Sequence, residues 1–251
     1  SKKVMIINLS YHRKQALRSL DKGHPYYGHA SSALEENLQQ VRICSPMPFQ
    51  KNVVSLIHNR SQMGGNGILL NKEGFILTSL HLVDHLQRDR YQMRDYIIRD
   101  TKKRESSLDQ SFFAWDKDYD LAILRTLKSA DDLLTIPLGV RYPKPDERVI
   151  YFPFPNGRES LALDGVVEDP SCDIEIIKDE DTPKLLRRNS FIFTGKGDIN
   201  YSGSSIFSHK GELLGTLFGG EIPGRNSTLF AINVIYARRL VQYIRRNLHD
   251  Y

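Results

Sequence analysis

From Val53 onward the chain alternates short apolar, β-branched runs with glycine- and asparagine-rich breaks. Val53 to His58, Ile68 to Leu70 and Phe75 to Thr78 are separated by Gly64 to Gly67 and by Asn71 to Gly74, the punctuation of strands joined by tight turns. Tyr96 to Arg99 and Ser111 to Trp115 continue the pattern around a polar stretch, Asp100 to Gln110, that reads as a loop. Asp120 to Arg125 is a further strand. These runs predict a first β-barrel over about residues 51–130. Past Ile136 to Pro145, a proline-rich crossing, the same pattern resumes in Arg148 to Phe152, Leu161 to Val167, Glu212 to Leu217 and Thr228 to Val234. Ile174 to Ile177 and Ser190 to Thr194 read as a hairpin with the charged Lys178 to Arg188 at its tip. A second barrel is therefore expected over about 146–234, and the fold class is mainly β.

The two ends of the chain depart from this period. Ser31 to Ile43 has a serine start, an acidic residue three positions after Ser32 and apolar residues at 34, 38 and 41, the pattern of a capped helix. Pro46 and Pro48 end it. Tyr11 to Leu20 suits a second short helix. Residues 1–50 are thus expected as an N-terminal helical extension attached to a body spanning 51–251, and as a surface for homo-oligomer formation. At the other end Leu240, Val241, Ile244 and Leu248 share one helical face while Arg238, Arg239, Arg245 and Arg246 lie away from it, predicting a helix over 235–248.

The candidate chemistry lies between strands. Asn200-Tyr201-Ser202-Gly203-Ser204-Ser205 is a serine-bearing turn between Phe191 to Thr194 and Gly211 to Gly220. A serine hydroxyl becomes a useful nucleophile only with a base to remove its proton and N–H donors to receive the developing charge. His81, after Thr78-Ser79-Leu80, and Asp120, at the polar start of a buried strand, are the base and acid in the order His, Asp, Ser. His81-Leu82-Val83-Asp84-His85 also has the form of a helical metal pair, but its strand-turn setting fits the base better and no third ligand is apparent; neither metal nor cofactor is expected.

Gly65 to Leu70, Gly74 to Val83, Asp120 to Arg125, Ser202-Gly203-Ser204 and Leu229 to Asn233 resemble, in this order, the landmarks of the trypsin-like HtrA (Do-like) serine proteases, over about residues 52–245. The resemblance implies two orthogonally packed six-stranded β-barrels followed by a terminal helix, with the catalytic residues in the cleft between the barrels. It implies Ser202 as nucleophile, His81 as base, Asp120 as its partner, and an oxyanion hole built from the N–H groups of Ser202 and Asn200. The family has glycine where Asn200 stands; asparagine tolerates the positive φ expected there. Leu213 to Gly220 corresponds to the strand that pairs with substrate, so Lys196, Thr216, Leu217, Phe218 and Gly219 are expected at the substrate, with Lys196, Thr216 and Phe218 lining a side-chain pocket. A PDZ module, often found in that family, is not expected after the terminal helix.

Composition narrows the picture only modestly. The 251 residues are 40% hydrophobic and 26% charged, which excludes a disordered chain, and no run approaches a membrane span. A net charge of +5 admits acidic partners, but no nucleic-acid motif accompanies the arginines. Two cysteines, Cys44 and Cys172, read as free thiols of an intracellular, reducing compartment; the N-terminal apolar run is too short for a secretory signal, and one removed before Ser1 stays open. The expected activity is that of a serine endopeptidase acting on protein substrates, with a peptide-binding module on a protease fold as the alternative.

Overall fold

The computed structural model describes residues 34, 36–38, 45–61, 64–127, 132–176, 185–221 and 224–248. They form two closed antiparallel barrels of six strands each. The first comprises β1 (Val53–His58), β2 (Gly64–Leu69), β3 (Phe75–Ser79), β4 (Tyr96–Asp100), β5 (Glu105–Asp116) and β6 (Leu121–Thr126). The second comprises β7 (Arg148–Tyr151), β8 (Leu163–Ile176), β9 (Leu185–Gly197), β10 (Ser205–Ser208), β11 (Leu213–Gly220) and β12 (Gly224–Asn233), and a helix α1 (Val234–Leu248) follows. Around the first barrel the order is β1-β2-β3-β6-β5-β4; around the second it is β7-β8-β9-β12-β11-β10. The same wiring is used twice, and closure removes the open sheet edges that would otherwise invite aggregation.

Alternation of side chains along each strand sorts the apolar residues into three cores. In β3 and β6, Ile76, Ala122 and Leu124 fill the first barrel, while Phe75, Leu77, Leu121 and Ile123 point out into a second core. In β7 and β12, Val149, Tyr151, Leu229 and Ala231 fill the second barrel, while Ile150, Phe230 and Ile232 point out into that shared core. Leu240, Val241 and Ile244 of α1 join the shared core as well. Strands apolar on both faces therefore weld the two barrels and the helix together, which fixes the cleft between them.

Two segments depart from the expectations. β5 begins at Glu105, so most of the stretch expected as a loop is strand. That stretch pairs with β4 through backbone bonds, Arg99 Nε donates to Glu105 Oε1 at 3.0 Å, and Leu108 is its one buried apolar side chain, so no apolar alternation marks it. Likewise β8 is one strand from Leu163 to Ile176 and β9 begins at Leu185. Pro170 is tolerated there because the ladder shifts register between Asp169 and Cys172, where a residue lacking an N–H costs no pairing.

Of the N-terminal segment, Tyr11 to Leu20 and most of Ser31 to Ile43 lie outside the described residues. Glu36–Leu38 forms a single 3-10 turn. Leu34 is buried in the shared core, and Asn37 Nδ2 donates to Leu70 O and Ile136 O at 2.6 and 2.7 Å. The part that is described is thus stapled to the barrels by a buried amide. No described helix is long and apolar enough to cross a membrane.

Candidate active site

Asp120 stands one residue before β6, and pairing of Ser79 with Leu121 places it beside the residues that follow β3. Leu80 N–H donates to Asp120 O at 2.8 Å, closing the end of that ladder. Asp120 has φ 53°, a left-handed conformation that aspartate accepts more readily than most side chains. The turn aims its carboxylate at His81: Oδ1 accepts from the His81 backbone N–H at 2.9 Å, and Oδ2 lies 2.7 Å from Nδ1. The Asp120 side chain is 2% exposed and that of His81 24%. A carboxylate so deeply buried needs donors, and the ring that supplies one is held as the Nδ1–H tautomer, presenting Nε2 as the basic nitrogen.

His85 goes elsewhere. It and His81 belong to two successive 3-10 turns, Asp84–Gln87 and Leu80–Leu82, so the helical metal pair is not formed. The His85 ring stacks on Tyr96 at 5.7 Å between centroids. Burial lowers its pKa against the pull of Asp84.

Ser202 ends a 3-10 turn, Ile199–Tyr201, with φ −52° and ψ 139°. Gly203 follows at φ +83°, and a Cβ there would fall 1.9 Å from Asn66 O, so the turn requires glycine on both counts. Gly203 N–H donates to Leu217 O at 2.7 Å, and the same carbonyl accepts from Ser79 Oγ at 3.1 Å. One oxygen of β11 thus joins the serine turn to the residue two before His81, bringing both barrels' candidates to one cleft. Of the serines in the turn, Ser204 and Ser205 are 1% and 2% exposed, whereas Ser202 is only half-buried. Cys172 is unbridged; burial pushes its thiol up to about 12, which leaves it inert as a competing nucleophile near neutral pH.

Asn200 does not adopt the positive φ expected of it. It lies inside the 3-10 turn, and its N–H donates to Oδ1 of Asp198 at 3.1 Å. Aspartate two residues before the donor folds back on its own backbone, and this local bond settles the peptide in a helical turn. The second proposed oxyanion donor is therefore engaged within the chain. Sequence reading passed over Asp198, although Asp-x-Asn is an Asx-turn pattern. It also passed over Asn66, a polar residue in a strand between two glycines.

The substrate-side residues are divided. Leu217 belongs to the second-barrel core, and Phe218 is 5% exposed in the shared core, not lining an open pocket. The reason is an extra residue in β11 between Leu213 and Gly215, opposite β10, which shifts the alternation by one and turns Leu217 into the second barrel and Phe218 into the shared core. Thr216 is buried, Gly219 half-buried, and Lys196 exposed, its carbonyl accepting from Tyr151 OH at 2.5 Å. β10 pairs with β11 only as far as Thr216, so among the described residues Phe218 to Gly220 has a ladder partner on one side alone, β12.

Residues 65–215 match the family profile described as a trypsin-like peptidase domain. No significant match is found among curated proteins. The active form of the Rv3671c protease from M. tuberculosis superposes with TM-score 0.62 at 16% identity, covering 82% of this chain and 91% of that one. The inactive form gives 0.59 at 16% identity, covering 81% and 99%. The serine endoprotease from Yersinia pestis gives 0.55 at 20% identity, covering 90% of this chain and 68% of that one. At these identities the likeness is one of fold.

Proposed function

Because the chain belongs to the trypsin-like peptidase family, we propose that it is a serine endopeptidase in which Ser202, His81 and Asp120 act as one unit on protein substrates. The observation that carries this reading is the double grip of a buried Asp120 on His81, through the ring and the backbone. A surface histidine has no need of such a partner, whereas a base that becomes an imidazolium during the reaction does.

His81 Nε2 takes the proton of Ser202 Oγ as the oxygen attacks the carbonyl carbon of the scissile peptide. The tetrahedral oxyanion accepts hydrogen bonds from the N–H groups of Ser202 and Asn200, and Asp120 stabilises the imidazolium. His81 then returns the proton to the departing amine, leaving an acyl ester on Ser202. Water, deprotonated by the same nitrogen, hydrolyses that ester. An extended substrate adds to Phe218 to Gly220 through main-chain bonds on the side that β10 leaves open.

A second reading, capture of peptides with slow or no turnover, draws on the Asn200 N–H held by Asp198. Labelling by a fluorophosphonate probe and cleavage of casein separate the two. Both are expected in the wild type and lost in Ser202→Ala and His81→Ala, because removing either member of such a unit costs several orders of magnitude. A wild type that binds peptides yet neither labels nor cleaves establishes the second reading.

A further inference from the structure

We propose that Asn66, at the far side of the cleft in the first barrel, is the positioning residue of the nucleophile turn in the second. The proposal rests on the reading of Ser202 as nucleophile. Asn66 is fully buried, and every polar atom it carries is used. Its backbone N–H donates to Ser202 O at 2.8 Å. Its Nδ2 donates to Asn200 O at 2.7 Å and to Ser202 O at 3.1 Å. Its Oδ1 accepts from Phe154 N–H at 2.6 Å, and its carbonyl accepts from Thr78 Oγ1 at 2.6 Å. Three donations from one residue therefore end on the carbonyls of Asn200 and Ser202.

Those carbonyls belong to the peptides on either side of the Tyr201–Ser202 pair. A peptide is planar, so fixing its oxygen fixes its N–H as well. With both pinned, and the Tyr201–Ser202 peptide between them held by the Ser204 N–H, which donates to Tyr201 O at 3.1 Å, the Cα of Ser202 has little freedom, and the direction of Oγ follows from it. The peptide between Ile199 and Asn200 is not held by Asn66; its N–H is on Asp198. Asn66 is thus the fixed pivot of the turn, and the Asp198 contact decides only where the second oxyanion donor points. An apolar or smaller residue at 66 packs a strand equally well but leaves the Asn200 carbonyl and the Phe154 N–H without the partners Asn66 supplies, and Ser202 O with only the backbone N–H of residue 66.

The test compares wild type, Asn66→Ala and Asn66→Asp by fluorophosphonate labelling, thermal unfolding and amide hydrogen exchange. For Asn66→Ala the maximal labelling rate constant of the folded protein is expected to fall roughly 10- to 100-fold, with the half-saturating probe concentration little changed, since a small misplacement of a reacting atom has that effect. Asn66→Asp keeps the acceptor for Phe154 and regains a donor only when its carboxyl is protonated. Its rate relative to wild type is therefore expected to rise as pH falls, a response that lost stability alone does not produce. Exchange needs no activity: the Gly203 and Ser204 amides are expected to lose protection in Asn66→Ala while β8 and β9 keep theirs. Unchanged protection at those two amides, or labelling at the wild-type rate, overturns the proposal. Should wild type fail to label while exchange responds as expected, the hydrolase reading fails and the positioning role stands.

Discussion

Replacing Asp198 by alanine removes the acceptor that holds the Asn200 N–H away from a substrate oxyanion. In the resting turn that N–H is 3.1 Å from a carboxylate oxygen, and the Asn200 side-chain amide reaches the same atom at 3.5 Å. A hydrogen bond to a charged group is worth about 1.5–3 kcal/mol when desolvated. Asp198 is exposed, so solvent screening reduces this to about 1 kcal/mol. That is the cost of freeing the donor before each acylation, against the ~3–4 kcal/mol that one oxyanion donor contributes once aligned. Removing the carboxylate is therefore expected to raise the rate roughly fivefold, since 1.4 kcal/mol is a factor of ten. Stopped-time labelling with a fluorophosphonate and initial rates on a peptide ester read the effect directly. Asp198→Asn, which keeps an uncharged acceptor in place, is expected to fall between alanine and wild type. An Asp198→Ala protein that folds normally and reacts no faster than wild type would refute the competition for the donor. A slower one would show that the 3-10 turn supports catalysis instead.

Gly203→Ala is expected to lose probe labelling together with about 1–3 kcal/mol of stability, because it combines a positive φ with a Cβ driven into Asn66 O; retention of both labelling and melting temperature counts against the turn geometry. Arg141 ties the crossing segment to the second barrel: Nη1 donates to Glu147 Oε2 at 2.8 Å and Nε to Glu212 Oε2 at 2.9 Å. The hydrogen bond from Arg141 holds the Glu212 carboxyl below its ordinary value; at Glu147 burial pushes up, and the bonds from Arg141 and the Lys144 N–H outweigh it. Both shifts are downward, so this stabilisation is present above the ordinary carboxylate value of about 4.3 and is lost as pH falls through the lower folded values. The melting temperature of wild type is expected to drop more steeply below about pH 4.3 than that of Arg141→Ala, and parallel profiles contradict the linkage.

The amino-acid pattern alone determined the two barrels and the terminal helix, and it pointed to the residues to which the chemistry is assigned in the proposal. These are local signals: period-two alternation marks a strand wherever it occurs, and Thr-Ser-Leu-His81, Asp120-Leu-Ala-Ile-Leu and Ser202-Gly203 each announce themselves within a few residues. The tertiary structure decided the rest, for identifiable reasons. The Glu105 to Gln110 half of β5 pairs through its backbone and buries only Leu108, so it carries no apolar period to read. Phe218 faces the shared core because an extra residue in β11 between Leu213 and Gly215 shifts the alternation by one, a change of register that composition does not encode. Asn200 takes a helical conformation because the Asp198 carboxylate captures its N–H. The role of Asn66 was beyond reach from the sequence, since its donors meet Asn200 and Ser202 across 134 and 136 residues of chain, and only the packing of one barrel on the other brings them together.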